Sequence, residues 1–297
     1  MRFWVLLGAV IVPLLFSTCA SKENKAIGVV ATIPVLGDWV KQVGGDRVEV
    51  ISLLKGQEEP HSYEPSPKDA EKISKARMVV RVGLGLDEWF DGLIKGAQNS
   101  TLRIVTIGDG VDLIQEEKAG SSVHQGGNPH IWLDPEVAKI GVKRIAHVLT
   151  EADPAGKEFY QARAEAYLRQ VDSVQTVLRQ LVSGLRNRRF VAMHNTWPYF
   201  CRAFGFEMIA AIEPLPGQEP SLQTLATLTQ LMRAESVRVI VLEPQHNPDI
   251  AQVLAGATGA EIVVLSQFIG ILPDTETYLK LLDYNVKKLV RKLSIDR

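Results

Sequence analysis

Only two cysteines occur in the 297 residues, Cys19 and Cys201. So small a number excludes a disulfide-stapled scaffold and a cysteine-rich zinc site; any metal would have to use His, Asp, Glu or water. Charge of one sign is lacking too. Lys and Arg number 33 and Asp and Glu 34, a net charge of -1, and no basic stripe gives reason to expect nucleic acid. Long apolar runs are also missing. The longest at the N-terminus, Phe3 to Phe16, is 14 residues, short of the roughly 20 that a bilayer-spanning helix needs. No His-Glu-x-x-His helix is present, and Gly83-Leu84-Gly85 lacks the rest of the dinucleotide fingerprint.

What is present begins at the N-terminus. Arg2 supplies a positive charge ahead of the apolar run, the arrangement of a secretory signal. The run ends in Phe16-Ser17-Thr18-Cys19. A cysteine so placed resembles a bacterial lipoprotein processing site, with Cys19 taking the lipid and becoming the first mature residue. Ordinary cleavage after Ala20 is the alternative, with Thr18 and Ala20 as the small residues. By either route, Cys201 would have no partner within the chain.

Beyond residue 26, short apolar runs alternate with helical patterns. Ile27 to Thr32, Val48 to Leu54, Met78 to Val82 and Leu102 to Ile107 read as buried strands. Arg189 to Met193, Met208 to Ile212, Val237 to Leu242 and Glu261 to Leu265 repeat the grammar. Alternation of this kind predicts an α/β fold of parallel sheets with flanking helices. Eight strands split evenly predict two lobes, each with a parallel four-stranded sheet. A chain of this length can support more than one core.

The longest helical signal lies between the halves. Asp153-Pro154 offers an N-cap and a first-turn proline, and helix formers run on to Leu185. Phe159, Ala162, Ala166, Val174, Leu178, Leu181 and Leu185 form the expected buried stripe, with Arg163, Arg169 and Arg179 towards water. About 30 residues would make a stiff spine roughly 45 Å long. The expected organisation is a signal and tether over 1–25, an N-terminal lobe over 26–152, a linking helix over 153–186 and a C-terminal lobe over 187–297.

Of six histidines, three share a topological position. His61 follows the second strand, His130 lies between the fourth strand and the next helix, and His194 ends the fifth strand. All three fall at the carboxyl edges of parallel strands, where open α/β sheets bind ligands. Taken singly, each could be a solvated loop histidine, a helix cap or a satisfied core residue. His147 reads as structural or exposed, and His124, Glu116 and Glu117 as part of a plain flexible loop.

The segments around these residues carry a resemblance. Pro60-His61-Ser62-Tyr63-Glu64-Pro65-Ser66-Pro67, Asn128-Pro129-His130-Ile131-Trp132-Leu133-Asp134-Pro135 and His194-Asn195-Thr196-Trp197-Pro198-Tyr199-Phe200 are similar, in order, to the three ligand motifs of the zinc and manganese solute-binding lipoproteins of ABC importers. Glu213-Pro214 and Glu243-Pro244-Gln245 resemble later blocks of that family, and the likeness spans the mature chain.

The resemblance implies His61, His130 and His194 as metal ligands. It further implies a non-enzymatic, extracytoplasmic receptor, in the periplasm or at the cell surface and lipid-anchored to a bacterial membrane. Such a receptor hands its ion to a permease with an ATPase and is expected to act as a monomer. Manganese-type members commonly carry Glu at the third position. His194 there favours Zn2+ over Mn2+, since neutral imidazole suits zinc and manganese takes more oxygen. The family's usual fourth ligand, an Asp after the eighth strand, is Ser266 here. Candidates for that place are Glu59, His246, Ser266 and water. Trp132, Trp197 and Tyr199 are expected either to wall the pocket or to serve the core; Glu213, Glu243 and Asn195 are candidates to orient the rings. The rival readings are a manganese or iron receptor, a zinc hydrolase with water in the open position, and an adhesin with a structural metal.

Overall fold

The alternation of apolar runs with amphipathic segments becomes two sheets of the same design in the computed structural model, which describes residues 26–115, 127–213 and 218–294. The first half runs β1 (Ile27–Ala31), α1 (Pro34–Gly44), β2 (Val48–Ser52), α2 (Pro67–Lys75), β3 (Met78–Arg81), α3 (Trp89–Gly96), β4 (Arg103–Thr106) and α4 (Pro135–Ala152). After α5 (Lys157–Ser183) come β5 (Arg189–Ala192), α6 (Pro198–Phe204), β6 (Glu207–Ala211), α7 (Leu222–Ala234), β7 (Val239–Leu242), α8 (Asp249–Thr258), β8 (Glu261–Val264) and α9 (Tyr278–Leu293). Strand order is β2-β1-β3-β4 in one sheet and β6-β5-β7-β8 in the other. Every pairing is parallel. The halves therefore share a topology although their sequences show no repeat.

Apolar β-branched residues explain the strands. Val29, Val30, Val79, Val80, Ile240 and Val241 are all buried, as expected where helices cover a parallel sheet. In each sheet the chain leaves the central strand in one direction and returns on its other side, between β1 and β3 and between β5 and β7. The carboxyl ends there form crevices.

The linking helix corrects two expectations. Pro154–Gly156 forms a separate 3-10 turn, and α5 proper has 27 residues, about 40 Å at 1.5 Å per residue. Its buried face is Tyr160, Ala164, Tyr167, Val171, Gln175, Leu178 and Val182, sharing only Leu178 with the stripe read from the aliphatic residues. Ala162 and Leu181 are exposed. Two tyrosines and a glutamine disguised a regular i, i+4, i+7 face. Arg163 and Arg179 also do more than face water, donating to the backbone carbonyls of Gln42 and Ala203.

The C-terminal helix α9 packs back across α5 and α1. The Tyr278 N–H at its start donates to the Asp38 carboxylate at 2.9 Å, and its ring meets Trp39 edge-on. One continuous core thus contains residues of both sheets, α1, α5, α6 and α9. A smaller core lies between β7, α7 and α8. The expected signal segment and Cys19 fall outside the described residues, as do Glu116, Glu117 and His124. Among the described residues no helix is long and apolar enough to cross a membrane.

Candidate metal centre

His61 is delivered by a short 3-10 turn, Pro60–Ser62, beyond β2. Glu59 caps that turn by accepting the His61 N–H through Oε1 at 3.3 Å, and the Trp89 indole donates to the Pro60 carbonyl at 2.9 Å. Downstream, Asp69 accepts from Tyr63 Oη and from the Ser66 backbone and hydroxyl, closing the loop onto α2. Gly56 lies at φ +95, with Phe268 and Ile271 where a Cβ would sit. Glycine there lets the loop approach the other half of the molecule.

His130 precedes the buried turn Ile131–Leu133, and Asp134 then caps α4 by accepting the Glu136 N–H. The imidazole is 1% exposed. Its Nδ1 lies 3.0 Å from Asn128 Oδ1, which also accepts the His130 N–H at 3.0 Å. The Asn128 amide nitrogen donates to the Asn195 carbonyl at 2.7 Å. That donation orients the amide, so Oδ1 faces the ring and the ring proton belongs on Nδ1. The lone pair on Nε2 is then turned to the centre, as a metal ligand requires. Asn128 is the functional residue that sequence reasoning missed. Its signal was the Asn-x-His spacing, which allows an Asx turn onto the second following N–H.

His194 lies two residues beyond the end of β5 and is 6% exposed. The ligand-capable atoms of His61, His130 and His194 all lie within 4.8 Å of one another. Among the described residues this is the one such group of His, Cys, Asp or Glu. The Nε2 atoms of His61 and His130 are 3.4 Å apart, and the ring centroids are separated by 5.2 to 5.8 Å. A tetrahedral ion bound to imidazoles at about 2.0–2.1 Å would separate their nitrogens by roughly 3.3 Å. The three residues predicted from widely separated segments therefore come together, with the His61–His130 pair at coordination spacing.

The remaining candidates divide. The Ser266 hydroxyl is committed to the Phe268 backbone, donating to its carbonyl at 2.7 Å and accepting its N–H at 3.0 Å. Glu59 Oε1 is 3.8 Å from His61 Nε2, with the carboxylate partly exposed; burial raises its pKa. His246, beyond β7, is no surface histidine: its side chain is 10% exposed, with Nδ1 3.4 Å from Glu213 Oε1. Burial alone would depress its pKa. The Glu213 hydrogen bond and the charges of Glu243, Glu213 and Glu59 outweigh that and raise it.

Glu243 is fully buried and accepts the Trp197 indole N–H at 2.6 Å. Burial pushes its carboxyl up to about 7. Trp132 adjoins His130 at 5.3 Å, stacks on Phe268 and donates to the Gln267 carbonyl. Tyr199 Oη donates to the Asn128 carbonyl and accepts the Ile114 N–H. Trp132 thus borders the centre, and all three aromatic residues belong to the core. Asn195 acts through its backbone carbonyl. His147 is exposed and paired with Glu151.

The chain is similar to known proteins along most of its length. A family model described as ZnuA, zinc-uptake complex component A periplasmic, matches residues 29–292. The manganese-binding lipoprotein MntA of Halalkalibacterium halodurans is 27% identical over 282 residues, 93% of this chain and 92% of its own. The high-affinity zinc uptake system protein ZnuA of Bacillus subtilis is 26% identical over 293 residues, 94% and 92% of the two chains. A crystal structure of ZnuA superposes with a TM-score of 0.82 at 28% identity, covering 91% of this chain and all of that one.

Proposed function

This chain belongs to the ZnuA family of periplasmic zinc-uptake components, and from that premise we propose that it captures a divalent transition metal, Zn2+, outside the cytoplasmic membrane. It then delivers the ion to an ABC permease and its ATPase. The family is one of substrate-binding receptors, not enzymes, and the relatives named above divide between zinc and manganese. The observation that carries the reading is the meeting of three imidazoles, His61 and His130 from one half and His194 from the other, within 4.8 Å.

No bond is broken in this function. Neutral imidazoles bind the ion through nitrogen, and protons compete for the same atoms, so affinity falls as pH drops through the histidine range. An all-nitrogen triad favours zinc over manganese, which prefers oxygen. The proposed organisation is a lobe over 26–152 and a lobe over 187–297 joined by residues 153–186, acting as a monomer tethered through a lipid on Cys19.

The test is metal analysis of the protein purified without added metal, then titration of zinc against manganese with a chromophoric chelator, with His194→Ala alongside. Zinc preferred by the wild type and lost in the variant is the expected result. Manganese preference would overturn the choice of ion, and an unaffected variant would overturn the site. Exchangeable binding without transporter-dependent uptake would favour the adhesin reading.

A further inference from the structure

The imidazole of His246 is not used by the reading above, yet the structure treats it as part of the centre. Its side chain is 10% exposed, and Nε2 has no hydrogen-bond partner among the described residues. A buried polar atom in that condition is a donor available to a ligand. The ring lies nearly parallel to that of His194, at 24° and 6.2 Å between centroids. The three pairs within the triad are separated by 5.2, 5.4 and 5.8 Å. Measured from His194, His246 therefore stands just outside the ring spacing within the triad. Its position has a topological cause: the turn that carries it leaves β7, the strand paired with β5, which delivers His194.

Zinc takes about four ligands in a closed site. The Ser266 hydroxyl is spent on the Phe268 backbone. Glu59 is nearer to His61, but its Oε1 already accepts the His61 N–H. His246 has its own holder, Glu213, on the Nδ1 side, the arrangement by which a carboxylate orients a metal-bound imidazole. Resting on the reading of the triad as the cargo site, we propose that His246 is the fourth ligand, turning Nε2 from its place beside His194 onto the ion. Four neutral imidazoles leave the charge of a divalent ion uncompensated. Glu213 and Glu59, both close enough to act on the His246 charge, offset it from just outside. The resulting four-nitrogen set favours zinc over ions that demand oxygen.

The decisive experiment counts imidazoles in the mature protein labelled with 15N-histidine. Long-range proton–nitrogen spectra are recorded without metal and with one equivalent of zinc, and His246→Gln provides the assignment. Four histidines, His61, His130, His194 and His246, are expected to show a metal-bound nitrogen. His246→Gln should weaken zinc binding by at least the roughly 10–100-fold that loss of an outer-shell partner costs. If zinc moves the resonances of His61, His130 and His194 and leaves His246 unchanged, the proposal fails and the triad stands. If His194 is unmoved as well, both fail. A loss of affinity in Glu59→Ala with none in His246→Gln would assign the fourth place to the carboxylate and overturn the proposal. The wild-type spectra decide even if a variant folds poorly.

Discussion

Asn128→Leu is expected to weaken zinc binding although Asn128 is not one of the proposed ligands. The wild-type amide is fully buried and carries three bonds: it accepts from the His130 N–H and Nδ1–H and donates to the Asn195 carbonyl. Leucine keeps the volume and removes all three. The His130 proton is then free to sit on either nitrogen and the ring is free to turn. Loss of such an orienting partner costs about 10–100-fold in metal affinity, roughly 1.4–2.7 kcal/mol. Two or three buried polar groups are also left without partners at about 1–3 kcal/mol each, so the apo fold should lose several kcal/mol. Asn128→Asp separates the two effects. It restores an acceptor for Nδ1–H but sets a carboxylate oxygen against the Asn195 carbonyl, so affinity should recover while stability does not. Zinc competition with a chromophoric chelator and urea unfolding of the apo proteins supply the two readouts. A folded leucine variant that binds zinc as the wild type does would refute the role given to Asn128.

Glu243→Gln tests the buried carboxyl. Its folded-state pKa of about 7 lies above the ordinary 4.5, so the native state favours the protonated form and is penalised as pH rises through 7. The full gap is worth on the order of 3 kcal/mol. The variant should match the wild type near pH 4 and melt higher near pH 8.5, and a gap that opens towards acid would refute the sign. Gly141→Ala gains about 1 kcal/mol of helix propensity, but the new Cβ would lie 2.9 Å from the ring of Trp39, which is fully buried. Overpacking at about 1–3 kcal/mol should win, and a raised urea midpoint would show that α1 and α4 are not so close. Small-angle scattering should give the same radius of gyration for apo and zinc-loaded protein, because the halves share a core; a clear contraction on loading would contradict that.

The fold was legible because strands buried on both sides leave continuous apolar runs, and Val29, Val80 and Ile240 could hardly sit elsewhere. Strand boundaries moved by a residue or two, as fraying ends do. The α5 stripe was misread where tyrosine and glutamine stood in for aliphatic residues, since side chains that carry a polar group look exposed to a reading by hydropathy. The triad could be proposed from the edge-of-strand rule and the motif resemblance together. What stayed hidden depends on side-chain direction. Asn128 orients a ring two residues along the chain, Asn195 acts through its backbone, and His246 is drawn inwards by Glu213. No periodicity encodes such choices.

These contacts also bear on how an ion could leave. Trp132 from the first half stacks on Phe268 from the second and donates to the Gln267 carbonyl. Trp39 meets Tyr278, and the Asp38 carboxylate receives the N-terminus of α9. Arg202 of α6 makes two bonds to the buried Asp134 carboxylate at the start of α4. Uncovering half of the four aromatic side chains alone would expose roughly 400 Å², about 10 kcal/mol at 25 cal/mol per Å², comparable with the entire stability of a typical domain. A wide hinge opening is thus too costly for thermal motion to supply. The segments carrying His61 and His246 are different: each is a short turn beyond a strand end, with exposed neighbours such as Gln57, Ser62, Pro244 and Asn247. His130 and His194 are rooted in the core that joins the halves. An ion would then be released by retracting the turn that bears His61, and a docked permease need displace only that loop, leaving both sheets where they are.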